Sequence, residues 1–159
     1  MTIVGGQLTR EKHMKTDWLD HYIYAWLLHP VAGTPDGAME LRELLAFVSP
    51  SIRYEDVPTA SVFEGHEGMK AMCELAHQWS PDLTVHVLSR QTDGKMFAFE
   101  AESTGTNATA MGDLPATGRK FVLRGVSVGS FDDDGLVVSQ RDYWDLGSFL
   151  SQVGLLPGS

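Results

Sequence analysis

The chain has 159 residues, with 21 Asp and Glu against 12 Lys and Arg, giving a formal charge of −9. Such an acidic surface repels phosphate backbones and anionic lipid, so neither nucleic acid nor a membrane is an expected partner. Apolar residues make up 43%, too many for a disordered chain, and no apolar run reaches the roughly 18–20 residues of a membrane span. The one thiol, Cys73, has no internal partner, which suits a reducing compartment. The start, Met1-Thr2-Ile3-Val4-Gly5-Gly6, lacks the basic-then-apolar order of a secretion signal. The expectation is a cytoplasmic chain forming one domain over residues 1–159, with residues 1–12 as a flexible N-terminus.

The first half has helical period. Between about Glu11 and His29, Trp18, Tyr22 and Trp26 recur at i, i+4 and i+8 beside Leu19, Ile23 and Leu27, and Pro30 ends the stripe. Asp36 is placed to cap a second helix carrying Met39, Leu41, Leu44, Leu45 and Val48, which Ser49-Pro50 should stop. Ile52 to Val57 has the makings of a short strand. A third helix is predicted from Gly65 to Trp79, with Met69, Met72, Cys73, Ala76 and Trp79 inward.

The second half changes to period two. Leu83–Thr92 and Lys95–Ala108 are predicted strands joined at Asp93-Gly94, a strong hairpin signal. Phe121–Phe131 and Leu136–Asp145 form a second pair around Asp132-Asp133-Asp134-Gly135, and an amphipathic turn over Ser148–Leu155 closes the chain. Helices followed by an antiparallel meander imply an α+β fold, with the sheet curved around its own helices.

Two acids stand out. On the last strand, Val138, Gln140, Asp142 and Trp144 share one face and Arg141, Tyr143 and Asp145 the other. If the first face is inward, Asp142 is a carboxylate in an apolar setting, with its pKa raised toward the range useful for proton transfer; if the Arg141 face is inward, it is solvated. Asp56 alternates with Tyr54 in Arg53-Tyr54-Glu55-Asp56-Val57-Pro58, where a phenol donor and a carboxylate base would share a face; the other reading of Asp56 is a turn residue ahead of Pro58. The six His residues include no HExxH pair and no Cys/His ligand spacing, so no metal is expected. Cys73, within an apolar helix face, reads as packing rather than as a nucleophile. Phosphate loops, GxGxxG and GxSxG are all missing, which leaves nucleotide, Rossmann and serine hydrolase chemistry without a foothold.

Four segments in this order resemble the nuclear transport factor 2-like superfamily, in its SnoaL-like polyketide cyclase, limonene-epoxide hydrolase and ketosteroid isomerase branches. They are Tyr54-Glu55-Asp56-Val57-Pro58, Phe63-Glu64-Gly65-His66-Glu67-Gly68-Met69, Leu114-Pro115-Ala116-Thr117-Gly118-Arg119 and Arg141-Asp142-Tyr143-Trp144-Asp145. The resemblance implies a cystatin-like α+β cone around an apolar pocket. It places Asp142 where the enzymes keep an acid/base Asp, Tyr54 where the epoxide hydrolases hold the attacking water, and Asp56 both at their water-binding Asn and at the general-base Asp of ketosteroid isomerases. The Arg-x-Asp of the epoxide hydrolases is missing, since that region reads Glu100-Ala101-Glu102-Ser103, although Glu100 or Glu102 could substitute.

The implied activity is cofactor-independent acid/base chemistry by a SnoaL-like cyclase, isomerase or lyase on a hydrophobic, aromatic or polycyclic carbonyl compound. Trp18, Tyr22, Trp26, Phe99 and Trp144 are the expected pocket residues, with neither metal nor organic cofactor. A homodimer through the sheet's outer face, near Tyr143, is usual for the superfamily. The alternatives are epoxide hydrolysis with a modified triad and a non-catalytic small-molecule-binding or dimer module.

Overall fold

The computed structural model describes residues 16–156; the flexible N-terminus expected over residues 1–12 and the start of the first expected helix lie outside them. The elements run α1 (Thr16–Leu27), α2 (Gly37–Phe47), β1 (Val48–Asp56), β2 (Ser61–Glu64), α3 (Gly65–Trp79), β3 (Thr84–Thr92), β4 (Met96–Thr106), β5 (Lys120–Phe131), β6 (Val137–Trp144) and α4 (Leu146–Gln152). None of the described helices is long and apolar enough to cross a membrane.

The stripe on α1 is buried as its spacing requires: Trp18, Tyr22 and Trp26 all belong to the main core. In α2 only Gly37, Leu41 and Leu44 are buried, and Met39 faces solvent. Asp36 precedes α2 but does not cap it through its side chain. Its φ of 62° is left-handed, whereas the capping geometry needs an extended residue. Ser49-Pro50 does not separate helix from strand either. The chain passes directly from α2 into β1, and Pro50 falls in the irregular stretch between Val48 and Arg53, where a missing N–H costs no ladder bond. The four-residue β2 was not anticipated, because two apolar residues leave almost no period to read.

Among the described residues, six strands are ordered β2-β1-β6-β5-β4-β3 in one open, curved sheet. Strands β3 to β6 form the expected antiparallel meander. Both hairpins close as their residues dictate: Gly94 and Gly135 take positive φ of 87° and 78°, and Asp93 and Asp132 accept backbone N–H bonds across their turns. The one parallel pair is β1 with β6, in which Asp56 stands opposite Asp142 and Tyr54 opposite Gln140. Register shifts between Val48 and Arg53, Val87 and Ser89, and Ser130 and Phe131 bend the strands. The architecture is α+β, with α1 to α3 against one face of the curved sheet.

Two apolar clusters result. The larger joins α1, α2 and α3 to the sheet; the smaller packs Phe149 and Val153 against Phe121 and Leu123, with Trp79 beside them. Asp145 caps α4 by accepting the Ser148 N–H at 3.0 Å, so the helix begins at Leu146, two residues before the predicted turn.

Close packing makes Gly129 on β5 obligatory. A Cβ there would collide with the Phe97 ring and stand 2.5 Å from the Ser139 carbonyl oxygen, which is backbone and cannot move aside. Gly129→Ala is expected to cost about 1–3 kcal/mol, read as a lower urea midpoint at unchanged m-value. An unchanged midpoint would contradict that packing.

Candidate active site

From Gln140 onward the alternation of β6 turns Gln140, Asp142 and Trp144 to the concave side, leaving Arg141 and Tyr143 exposed outside; Val138 does not share that face, because the register shifts there and Val137 is the buried residue. Ser127 of β5 lies opposite Asp142 on one flank and Asp56 of β1 on the other. One strand face thus assembles three acceptors and donors that are far apart in sequence.

Asp142 is surrounded by donors. The Tyr54 hydroxyl donates to its Oδ2. The Ser127 hydroxyl donates to Oδ1 at 2.6 Å and the Gln140 amide to the same atom at 3.0 Å. Gln140 is fully buried, and its own Oε1 accepts the Tyr22 hydroxyl at 2.5 Å. That bond fixes the amide so that its NH₂ group faces the carboxylate. Burial nonetheless pushes the Asp142 carboxyl up to about 6, against the pull of the Ser127, Tyr54 and Gln140 bonds and with a smaller push from the Asp56 charge. Burial, with Asp142 beside it, holds the Tyr54 phenol well above its ordinary value, so it stays a donor.

Asp56 is raised less, again by burial, while bonds from Thr59 and Trp144 pull it down. The Trp144 indole N–H donates to Oδ1 at 2.7 Å and the Thr59 hydroxyl lies 2.9 Å from Oδ2. Asp56 is the last residue of β1 rather than a free turn residue, and the turn falls at Val57–Ala60, closed by the Ala60 N–H to Val57 carbonyl bond.

Tyr54, Asp56, Ser127, Asp142 and Trp144 line one cavity of about 830 Å³, within the range of small-molecule sites, roughly 300–1,000 Å³. Its walls come from both apolar clusters: Trp26 and Met72 on one side, Trp79, Phe121 and Leu123 on the other. Of the expected pocket residues, Trp26 and Trp144 therefore reach the cavity. Trp18, Tyr22 and Phe99 do not; they lie in the core behind it, where Trp18 stacks on Tyr22 and Phe99 takes the edge of Trp26. Tyr22 acts on the site only through Gln140.

Glu100 and Glu102 cannot stand in for the missing epoxide-hydrolase pair. The residues of β4 that face inward are Phe97, Phe99, Ala101, Ser103 and Gly105, and Glu102 pairs outside with Arg124 at 3.2 Å. Cys73 is buried, and burial pushes its thiol up to about 12, so it is not a nucleophile. Among the described residues, no three His, Cys, Asp or Glu side chains converge as metal ligands.

Ser127 and the Gln140–Tyr22 link were not legible as site residues. Ser127 sits mid-strand between Val126 and Val128, and only its register opposite Asp142 gives it a role. Tyr22→Phe tests the link: it leaves the Gln140 oxygen unpaired in the core, an expected loss of about 1–3 kcal/mol in urea unfolding. A loss below about 0.5 kcal/mol would indicate that the bond is worth only a typical exposed contact.

Residues 37–140 match the sequence profile of the SnoaL-like domain family. No curated protein matches the chain. Solved structures do. A candidate SnoaL-like polyketide cyclase from Jannaschia sp. CCS1 is 19% identical with a TM-score of 0.73, covering 91% of this chain and 96% of that one. IdmH, a candidate polyketide cyclase from Streptomyces antibioticus, is 19% identical with a TM-score of 0.66, covering 87% and 97%. A protein with a ketosteroid isomerase-like fold from Catenulispora acidiphila, solved with trimethylamine, is 18% identical with a TM-score of 0.67, covering 89% and 95%. At these identities the likeness is one of fold. The family match spans well over half of the sequence, and the chain belongs to the SnoaL-like domain family of the nuclear transport factor 2-like superfamily.

Proposed function

We propose that the protein is a cofactor-independent acid/base enzyme, a SnoaL-like cyclase, isomerase or lyase for a hydrophobic, aromatic or polycyclic carbonyl compound. The observation that carries this reading is Asp142: a carboxyl raised to about 6, held by three donors on the wall of an apolar cavity. A base with a pKa just below neutrality is ionised at pH 7 yet strong enough to take an acidic C–H proton.

In the shared step, Asp142 removes a proton from the carbon next to the carbonyl; the C–H electron pair forms the new C=C bond, and the C=O π pair moves onto the oxygen. The enolate oxygen needs a donor, which the Tyr54 hydroxyl supplies. Return of the proton to a different carbon isomerises the substrate, and attack of the enolate on a second carbonyl cyclises it. Neither step needs a metal or organic cofactor. Epoxide hydrolysis is the weaker reading, because Glu100 and Glu102 face away from the cavity.

The common step is measurable without the natural substrate. Incubated in D₂O with 2-tetralone, the protein is expected to accelerate exchange of the hydrogens next to the carbonyl, followed by NMR. Binding of 2-tetralone with no exchange above the buffer rate would point instead to a pocket that holds ligands without transforming them.

The dimer belongs to the same reading. Val122, Val126 and Tyr143 are 42–50% exposed on the outer sheet face, and Val126 pairs directly with Tyr143 across β5 and β6. A homodimer covering that face is expected by light scattering, and a monomer would exclude it.

A further inference from the structure

A second polar corner lies in the cavity, away from the carboxylates. Just past the end of α1 the chain turns at His29 with a φ of 42°, a left-handed backbone that costs a non-glycine residue about 1–3 kcal/mol and collects at functional sites. The His29 Nδ1 lies 3.2 Å from the Leu27 carbonyl oxygen. A carbonyl only accepts, so Nδ1 carries the proton and Nε2 presents a lone pair. Burial pushes the imidazole down to about 4, against the Leu27 bond, which keeps the ring neutral at pH 7. No described residue donates to Nε2, and the ring lines the cavity.

Beside it the Trp26 ring, 5.0 Å from the His29 ring, also lines the cavity and gives the corner an aromatic wall. The Trp26 indole N–H is buried, with no acceptor among the described residues. The corner is distinct from the carboxylate site. Trp26 packs on Phe99, which lies opposite Ser127, which lies opposite Asp142. Two strand spacings, about 10 Å across the sheet, therefore separate Phe99 from Asp142.

We propose that this corner is a hydroxyl-recognition subsite: His29 Nε2 accepts the O–H of a phenol or enol on a ligand whose ring lies against Trp26. The inference rests on the cavity being a pocket for aromatic carbonyl compounds. It adds that the ligand carries a hydroxyl at the end remote from the base. A hydroxyl supplies the donor that His29 Nε2 leaves open. His29 is thereby a specificity residue, touching the ligand without taking part in the proton transfer at Asp142.

The probes are 2-naphthol and 2-methoxynaphthalene, which share the rings and the oxygen but differ in the O–H. By calorimetry at pH 7 the unmutated protein is expected to bind 2-naphthol about tenfold more tightly. The preference should fall to within about twofold in His29→Phe and persist in Asp142→Asn. Equal affinities in the unmutated protein, or a preference that survives His29→Phe, would overturn the subsite and leave the apolar pocket standing. A preference lost only in Asp142→Asn would place the hydroxyl at the carboxylate and also overturn it. Failure of both probes to bind would overturn the pocket and the subsite together. Should His29→Phe not fold, ¹⁵N NMR of the unmutated protein decides: the His29 Nε2 resonance must move with 2-naphthol and stay still with 2-methoxynaphthalene, and no movement with either overturns the subsite.

Discussion

Asp142→Asn is expected to lower the rate of 2-tetralone exchange by about 10²- to 10⁴-fold while changing the affinity for 2-tetralone little. Asn keeps the shape of the side chain. Its oxygen can still accept from Ser127 and Gln140, and its NH₂ group can face a Tyr54 hydroxyl turned to accept. What is lost is the basic lone pair. In the unmutated protein the exchange rate should rise with pH through about 6 and then level, following ionisation of the Asp142 carboxyl. Full exchange by the Asn variant would remove Asp142 from the chemistry. A rate independent of pH between 5 and 8 would do the same.

The same substitution should stabilise the fold at neutral pH. In the folded protein the Asp142 carboxyl is raised to about 6 by burial, against about 4 in an unfolded chain. The native state therefore holds more protons between those values, so stability falls as pH rises from about 4 through 6. At about 1.4 kcal/mol for each unit, the ionised carboxylate costs the fold on the order of 3 kcal/mol at pH 8. Asp142→Asn avoids that cost, so its urea midpoint should exceed the unmutated protein's at pH 8, with the gap closing near pH 4. A variant less stable at pH 8 would mean that the three hydrogen bonds outweigh burial. Removing a functional carboxylate commonly stabilises a protein in this way, because such groups are kept for chemistry rather than for folding.

Much of the fold was legible in local periods. The α1 stripe, α3 from Gly65 to Trp79 and both Asp-Gly hairpins need only neighbours a few residues away. Period two on β6 also grouped Asp142 with Gln140 and Trp144 but left open which face is inward, which burial of Gln140 decides. The parallel pairing of β1 with β6 did not show, because it joins residues 86 apart, such as Asp56 and Asp142, by a register that no local pattern encodes. For the same reason Ser127 looked like an ordinary strand residue, and Glu100 and Glu102 looked available until the parity of β4 put them outside.

The pocket residues divide on a finer point. Apolar period shows that Trp18, Tyr22, Trp26 and Phe99 are inward, but not which of them stop at the core and which border a void. That distinction depends on how α3 and the segment near Met111 stand off from the sheet, a matter of three-dimensional packing. His29 escaped notice because it lies where the α1 pattern ends. Its place in the cavity comes from a left-handed turn rather than from any period.

The claim on which everything else depends is that the cavity holds a carboxyl tuned for proton transfer. Titration of the Asp142 side-chain carboxyl by ¹³C NMR measures that property directly, with Asp142→Asn assigning the resonance. The expected midpoint is about 6. A midpoint at the ordinary carboxyl value of about 4 would contradict it.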